Sequence, residues 1–495
     1  MPPDVLLDPA LLPHLVGGVL LGIVVGAVPG LTATLAIALL LPLTFSLTAE
    51  RAIVMMTGIF TGGIYGGSIA AITLRIPGAP ASAMTMLDGH AMALKGRAGS
   101  AIALATVSSF IGGIVGGVVL VLFAPQLARV ALTFQSPEMF ALVVLALTAV
   151  ATVSPESLAK GMVATVLGVM LATMGIDQLV PVPRFTFGAV SLLVGIPLIP
   201  VVIGLFAVSE LLHQAGEPER AAESDPDVVS GRPSEWWADV RAAGWKTFAK
   251  SSVIGTLVGA LPGAGGAMAA FLSYSEAKRS SPHPERFGTG IPEGIVAPEA
   301  ANNAMTGGAF IPLLAFGIPG DAVTAVILGG LVIHGITPGP QLFGESAHLL
   351  EPLFEAYFLS YVLILAIGLL LIPLFSRITR VPRHVIFPLI GALAIVAAFT
   401  SEGTAFAMYL TVAVGIGAFV LRRFGYPVIP VLLGLILGPM LEANFRRSLI
   451  LSEGDPTVFV RSPLSVALLI AAVALPVWVV VADRRSREAG SPDGG

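Results

Sequence analysis

The sequence predicts an all-α, polytopic membrane protein made of two homologous halves, and three observations carry that prediction. First, 55% of the 495 residues are apolar and only 11% are charged, where a soluble domain has roughly 25% charged residues; mean hydropathy is +0.92. Second, apolar runs at or near the ~20 residues needed to cross a bilayer recur along the chain: Leu15–Val28, Ala101–Ala124, Met139–Val153, Val190–Leu212, Phe354–Phe375 and Leu464–Val481. A β-barrel would instead show short alternating segments. Third, three motifs occur twice in the same order. "GAVPGLTATLA" at Gly26 matches "GALPGAGGAMA" at Gly259, "TLRIPGAPASA" at Thr73 matches "AFGIPGDAVTA" at Ala315, and "GIPLIPVVIGL" at Gly195 matches "GYPVIPVLLGL" at Gly425, at offsets of 233, 242 and 230 residues. One such match is chance in a chain rich in Gly, Ala and Leu; three in register mark a duplication. Length and composition accommodate roughly 10–13 spans of ~20 residues.

Four segments follow from this pattern. Residues 1–213 form the first membrane repeat. Its opening, "MPPDVLLDPALLPHLVGG", lacks the basic start of a secretory signal, so the first apolar run reads as a retained span. Residues 214–247 form a polar linker, in which "PSEWWADVRAAGWKTFAK" suggests an interfacial helix: Trp236, Trp237 and Trp245 suit the headgroup zone, with basic residues beside them. Residues 248–445 form the second repeat, and 446–495 a final span with the basic tail "DRRSRE". Arg220, Arg232, Arg241, Lys246 and Lys250 place the linker in the cytoplasm, while no Lys or Arg precedes Arg51, which places the N-terminus outside. The first repeat then crosses an odd number of times, and the second is inverted relative to it. Arg446 and Arg447 fall outside in this scheme and count against it.

Both repeats break their own helices. Proline removes an amide donor and glycine supplies unusual dihedrals. Pro29-Gly30 and Pro262-Gly263 interrupt apolar sequence, and Pro77-Gly78 and Pro319-Gly320 form the paired "IPG" breaks. Ser251–Tyr274 together approximate one span, which puts Pro262-Gly263 near mid-membrane. The first copy, apolar past Pro29 to Leu47, fits either two spans or a re-entrant pair. Backbone groups freed at such breaks must face protein or a watery cavity, and a helix N-terminus starting there offers N–H groups and partial positive charge to an anion. The expected substrate-binding set is Gly30, Leu31, Thr32, Gly78, Ser82, Gly263, Gly265, Gly266, Gly320, Thr324 and Asn303. Ser82 and Thr324 follow the breaks as hydroxyl donors. Asn302, Asp321 and Glu299 are the expected cation-coupling residues, because oxygens beside unwound backbone suit Na+ and a buried carboxyl suits H+. "TMLDGHAMALKGRAG", with Asp88, His90, Lys95 and Arg97, reads as a loop, and His334 as a packed helix-end residue. Arg75, just before the first IPG, either attracts an anion or snorkels to the interface.

Several function classes are excluded by what is missing. The net charge of −4 does not suit nucleic acid. With no cysteine there is no thiol nucleophile, disulfide or iron–sulfur cluster. There is no P-loop, and "GALPGAGG" fails as a dinucleotide fingerprint because the third glycine falls on Met268. H-E-x-x-H, a His/Cys metal cluster and a G-x-S-x-G elbow are also absent. No enzyme activity, cofactor or metal centre is expected.

The segments "YGGSIAAITLRIPGAPASAMTMLDGHAMALKGRAG", "GALPGAGGAMAAFLSYSEAKR", "FGTGIPEGIVAPEAANNAMTGGAFIPLLAFGIPGDAVTAVILGGLVIHGITPGPQLF" and "NFRRSLILSEGD" resemble the TctA family, the large membrane subunit of bacterial tripartite tricarboxylate transporters, over about residues 15–460. The resemblance implies a secondary permease of the cytoplasmic (inner) membrane. It would work with a small four-helix TctB-like membrane subunit and a TctC-like periplasmic solute-binding protein, and import citrate or another carboxylate on an ion gradient. Thr32, Arg75, Ala79 and His90 stand where the family pattern favours glycine, asparagine, threonine and an aromatic, which bears on the substrate more than on the mechanism. The rival readings are a passive anion channel, an intramembrane enzyme or proton-pumping subunit, and a transporter subunit with no substrate site of its own.

Overall fold

The computed structural model describes residues 8–490 other than 29, 77, 153–156, 178, 217–232, 345 and 379–382. Pro29 and Pro77, expected to break helices, lie outside the described residues. Among the described residues the regular structure is helical but for one two-stranded ladder, β1 (Gly175–Ile176) with β2 (Pro183–Arg184). Among the described residues seven helices are long and apolar enough to cross a membrane, which bears out the membrane class and is fewer than the roughly 10–13 spans expected.

Each repeat opens on a helical hairpin. In the first, α1 (Leu12–Ala27) leads to α2 (Ala33–Leu40) and a 3-10 turn (Leu41–Ser46), followed by the long α3 (Ala49–Leu74). Glycines on α1 and α3 bring the two backbones together. A Cβ at Gly18 would lie 2.5 Å from the Met55 carbonyl oxygen, at Gly22 2.5 Å from that of Ile59, and at Gly26 2.4 Å from that of Gly63. The contacts advance together along both helices, so α1 and α3 run parallel. The chain must therefore return between them, and the stretch around Gly30 is the tip of a re-entrant pair.

The second repeat repeats the device. α11 (Trp245–Gly259) and α12 (Gly265–Ser280) precede the long α13 (Glu293–Phe316). Gly255 packs on Ala301 and Gly259 on Met305, again in parallel. Lys250 near the start of α11 pairs with Glu276 near the end of α12, so both arms end on one side. This corrects the expectation that Ser251–Tyr274 forms one span: an ion pair cannot join the two ends of a straight ~36 Å helix. Each arm is about 22–24 Å long.

Both long helices then double back. α3 ends on Arg75 in the left-handed region (φ 55), α13 on Gly317 (φ 71). The following segment returns alongside the helix just left. A Cβ at Gly78 would lie 2.9 Å from Gly67 Cα and 2.4 Å from the Gly26 oxygen, and one at Gly320 2.6 Å from both Ala309 Cα and the Gly259 oxygen. The same three positions meet in each copy. A short helix starts from this inner point: α4 (Ala83–Met92), preceded by a 3-10 turn (Pro80–Ser82), and α14 (Ala322–Ile333). α3 and α13 run antiparallel. Phe60 stacks edge-on against Phe310 at 5.6 Å, whereas Ile72 accepts from His90 and the adjacent Asp88 crowds Gly294 at the other end of α13.

The segment Asp88–Arg97 is not a loop, as its charge suggests, but helix α4 running on into a π-turn (Ala93–Arg97) kinked at Gly96. Asp88 is fully buried. Its carboxylate accepts from the backbone N–H groups of Gly288, Gly290 and Ile291 and from the Tyr274 hydroxyl at 2.8–3.0 Å, which fixes the turn into α13. Beyond the π-turn, α5 (Ala98–Ala131) lies against α13 through Gly112 and Gly116.

The remaining helices surround this core: α6 (Ser136–Thr152), α7 (Leu158–Ala172), α8 (Leu198–Ile203) running through a π-turn into α9 (Ser209–Ala215), α10 (Pro233–Ala242), α15 (Leu350–Leu370), α16 (Ile372–Ile378), α17 (Arg383–Glu402), α18 (Ala405–Arg423), α19 (Val428–Leu451), α20 (Val458–Arg461) and α21 (Pro463–Gly490). The run Val190–Leu212 becomes a helix only from Leu198, after Pro197, and Phe354–Phe375 is interrupted at Leu371. α19 begins after Pro427 in the same extended cap geometry as α8 after Pro197, matching the third repeated motif. The aromatic stretch of the linker divides: Trp236 and Trp237 lie on α10, while Trp245 opens α11 after a turn at Gly244 (φ 74).

Candidate functional site

The helix breaks converge. Gly26, at the first hairpin, packs on Gly78 of the first IPG segment. Ala81, three residues on, meets Gly266 at the start of α12. The Gly263 N–H at the second tip donates to the Gly320 carbonyl at 2.7 Å. Four helix N-termini, those of α2, the turn into α4, α12 and α14, thus begin inside the protein. Glycine is required where these segments cross: Gly30 (φ 83), Gly263 (φ 80) and Gly265 (φ 61) are left-handed, and only glycine takes that geometry freely.

The polar side chains divide into those already satisfied and those left open. Thr32 caps α2 by accepting from the Leu35 N–H at 3.2 Å. Asp321 and Thr324 form a reciprocal capping box at α14: Asp321 accepts from the Thr324 N–H at 2.8 Å, and the Thr324 hydroxyl accepts from the Asp321 N–H at 2.9 Å. Both side chains therefore already serve their own helix. Asn303 donates to the Ser109 hydroxyl at 2.8 Å and to the Glu299 carbonyl at 3.0 Å. Glu299, fully buried, accepts hydroxyl hydrogen bonds from Thr85 and Ser109. Thr306 links this group to the hydroxyls of Tyr357 and Tyr361 at 2.8 Å each. Leu31 is buried.

At the crossing of the IPG segment and α12, two residues are left over. The Asn302 amide is 1% exposed, and neither its oxygen nor its nitrogen has a hydrogen-bond partner; Ser82, fully buried, has a hydroxyl in the same condition. Buried polar groups are nearly always paired, so each exception needs an explanation. These two lie at the crossing itself. A Cβ at Gly266 would sit 2.2 Å from Asn302 Oδ1, and one at Gly67 2.7 Å from Ser82 Oγ.

Comparison with known proteins now bears on this architecture. The family model described as the tripartite tricarboxylate transporter TctA family matches residues 12–433. The chain belongs to the TctA family. It is a multi-pass membrane protein of a transporter family. A curated relative, an uncharacterized 52.8 kDa protein in the TAR-I ttuC' 3' region of Agrobacterium vitis, is 38% identical over 439 residues, covering 88% of this chain and 86% of the relative. A second, an uncharacterized protein in the TAR-II ttuC' 3' region of the same organism, is 37% identical over 233 residues, 47% of this chain and 96% of that protein. No solved structure matches the chain.

Of the residues expected from the sequence, Ser82, Gly266 and Asn302 gather at the crossing, and Gly263 and Gly320 are joined beside it. Glu299, one turn before Asn302 on α13, and Asn303, directly after it, lie in a hydroxyl network with Thr85 and Ser109. Gly30 lies at the first tip, where its carbonyl accepts from Gln214 of α9 at 2.9 Å. Ser109, Tyr361 and Gln214 are participants that sequence reading missed. Each lies in an apolar or loop-flanking stretch, with no local pattern to single it out. Arg75 is exposed, at the left-handed cap of α3.

Proposed function

We propose that this TctA-family chain is the large permease subunit of a binding-protein-dependent secondary transporter, importing a small organic anion with two or three carboxylates on an ion gradient. The observation that carries the proposal is the unpartnered Asn302 amide and Ser82 hydroxyl, buried where four interior helix N-termini meet. A carboxylate there accepts from both side chains and from backbone N–H groups of the first turn of α12, and the helix dipoles favour its charge. The backbone at Gly30–Thr32, Gly78–Ser82, Gly263–Gly266 and Gly320–Thr324 lines the path. Glu299, or Asn302 and Asp321 with neighbouring carbonyls, takes the coupling H+ or Na+.

The antiparallel course of α3 and α13 supports reading the two repeats as inverted. In that arrangement the hairpins enter from opposite sides, with the polar linker in the cytoplasm and the protein in the bacterial inner membrane. A TctB-like membrane subunit and a TctC-like periplasmic binding protein complete the transporter, the latter delivering substrate. The test is uptake of labelled citrate, succinate and tartrate into vesicles carrying all three components, with sodium and pH gradients varied separately. Asn302→Ala, whose wild-type side chain bonds nothing within the protein, is expected to leave the amount of protein in the membrane unchanged and to abolish uptake. Unchanged uptake by this variant refutes the site.

A further inference from the structure

A second feature lies at the other end of α8–α9 from the linker. Between the β1–β2 loop, α14 and α19 there is a cavity of about 410 Å³, within the size range of small-ligand sites. Its walls include Ile176, Leu328, Leu435 and Met440, and it reaches Gly317, the last helical cap before the second IPG break. Two guanidinium groups, Arg184 and Arg446, stand in its wall. They are held by two carboxylates. Arg184 donates to both oxygens of Glu442, at 2.5 and 3.0 Å, and Arg446 bonds Asp177 and reaches Glu442 at 3.1 Å. The backbone N–H of Val180, the Arg446 guanidinium and the Leu179 N–H hold the Asp177 carboxyl well below the usual carboxylate range, so the network stays charged. Arg184 Nε, buried, has no hydrogen-bond partner.

We propose that this cavity is an entry vestibule that receives one carboxylate of the substrate on Arg184 before it reaches the helix breaks. The inference rests on the reading of the chain as a carboxylate permease, and adds to it a second, outer binding site. Four charges of alternating sign cancel, so attraction at a distance is weak. Selection is by geometry: Glu442 and Asp177 fix the guanidinium planes, and the unpaired Nε–H, covered in the resting structure, becomes a directed donor when Arg184 turns toward a bound carboxylate in a largely apolar wall, where a charge-assisted hydrogen bond is strong. The apolar helix Leu198–Ala215 separates this cavity from the linker, so with the linker in the cytoplasm the mouth faces the binding protein.

The absence of cysteine makes the test clean. Ala443, which lines the cavity, is replaced by cysteine in the complete transporter. Labelling by a membrane-impermeant thiol reagent is then followed in right-side-out vesicles, with citrate, succinate and tartrate each titrated. The expected result is labelling from the outer face, slowed by at least one of the three anions. Arg184→Gln should raise the concentration for half-protection about tenfold or more, the scale of one lost charge-assisted hydrogen bond, while the unprotected labelling rate stays the same. If Arg184→Gln fails to reach the membrane, Arg184→Lys keeps the charge, lacks the Nε donor and should show the same shift. Labelling only in inside-out vesicles, no protection by any of the three, or equal protection in the Arg184 variants overturns the proposal. Asn302→Ala separates the two sites: it should lose uptake and keep protection, and normal uptake with protection intact would refute the inner site alone.

Discussion

Gly266→Ala probes the inner site without removing any polar group. The added Cβ would lie 2.2 Å from Asn302 Oδ1, 3.0 Å from Met305 Cε and 3.2 Å from Ala81 Cβ. Ordinary contact begins near 3.4 Å, so the Asn302 amide must swing by about 1 Å, at about 0.5–1.5 kcal/mol for an off-rotamer side chain. Gly266 is helical, without positive φ, and alanine gains about 1 kcal/mol of helix propensity over glycine. The two effects offset each other, so thermal stability in detergent should change by no more than about 1 kcal/mol. Binding should not be spared. Losing one hydrogen bond to a charged ligand costs about 1.5–3 kcal/mol, or roughly 10–150-fold in affinity. The assay is initial-rate uptake against substrate concentration in vesicles, with the amount of membrane-inserted protein measured in parallel. An unchanged KM and maximal rate in a normally inserted Gly266→Ala protein would show that the Asn302 amide does not meet the substrate.

Other substitutions test other links. Glu299→Gln keeps an acceptor for Thr85 but cannot carry a proton; if Glu299 is the proton site, counterflow exchange should persist while pH-gradient-driven accumulation is lost, and retained accumulation points to another coupling group. Gly112→Ala drives a Cβ to 2.1 Å from the Ala300 backbone oxygen, which neither helix can yield by a rotamer change; a loss of about 1–3 kcal/mol should appear as reduced protein in the membrane. Asp177→Asn should destabilise at neutral pH. Because the folded Asp177 carboxyl sits below its ordinary value of about 3.9, its contribution is present above that value and lost as pH falls through the folded value. The stability gap to the parent should therefore close on acidification, and a gap that widens would contradict the ion-pair assignment.

The sequence by itself determined the membrane class and the places where helices stop. Those are local consequences of composition and of proline and glycine chemistry, and Pro262-Gly263 and Pro319-Gly320 interrupt helices as their neighbours predict. It also singled out Asn302, because an amide in an apolar helix is conspicuous wherever it points. Only the tertiary structure decided that the Pro262 break is a hairpin tip instead of a kink: two arms of α-helix have the same local sequence whether they continue or fold back, and the Lys250–Glu276 pairing and the parallel α11–α13 contact are what choose. It alone decided that Asp321 and Thr324 satisfy each other while Asn302 and Ser82 do not, since hydrogen-bond satisfaction depends on what lies across the interface. The Asp177–Arg184–Glu442–Arg446 network was equally invisible, because its members are far apart in the chain and meet only when α19 packs against the loop after α7.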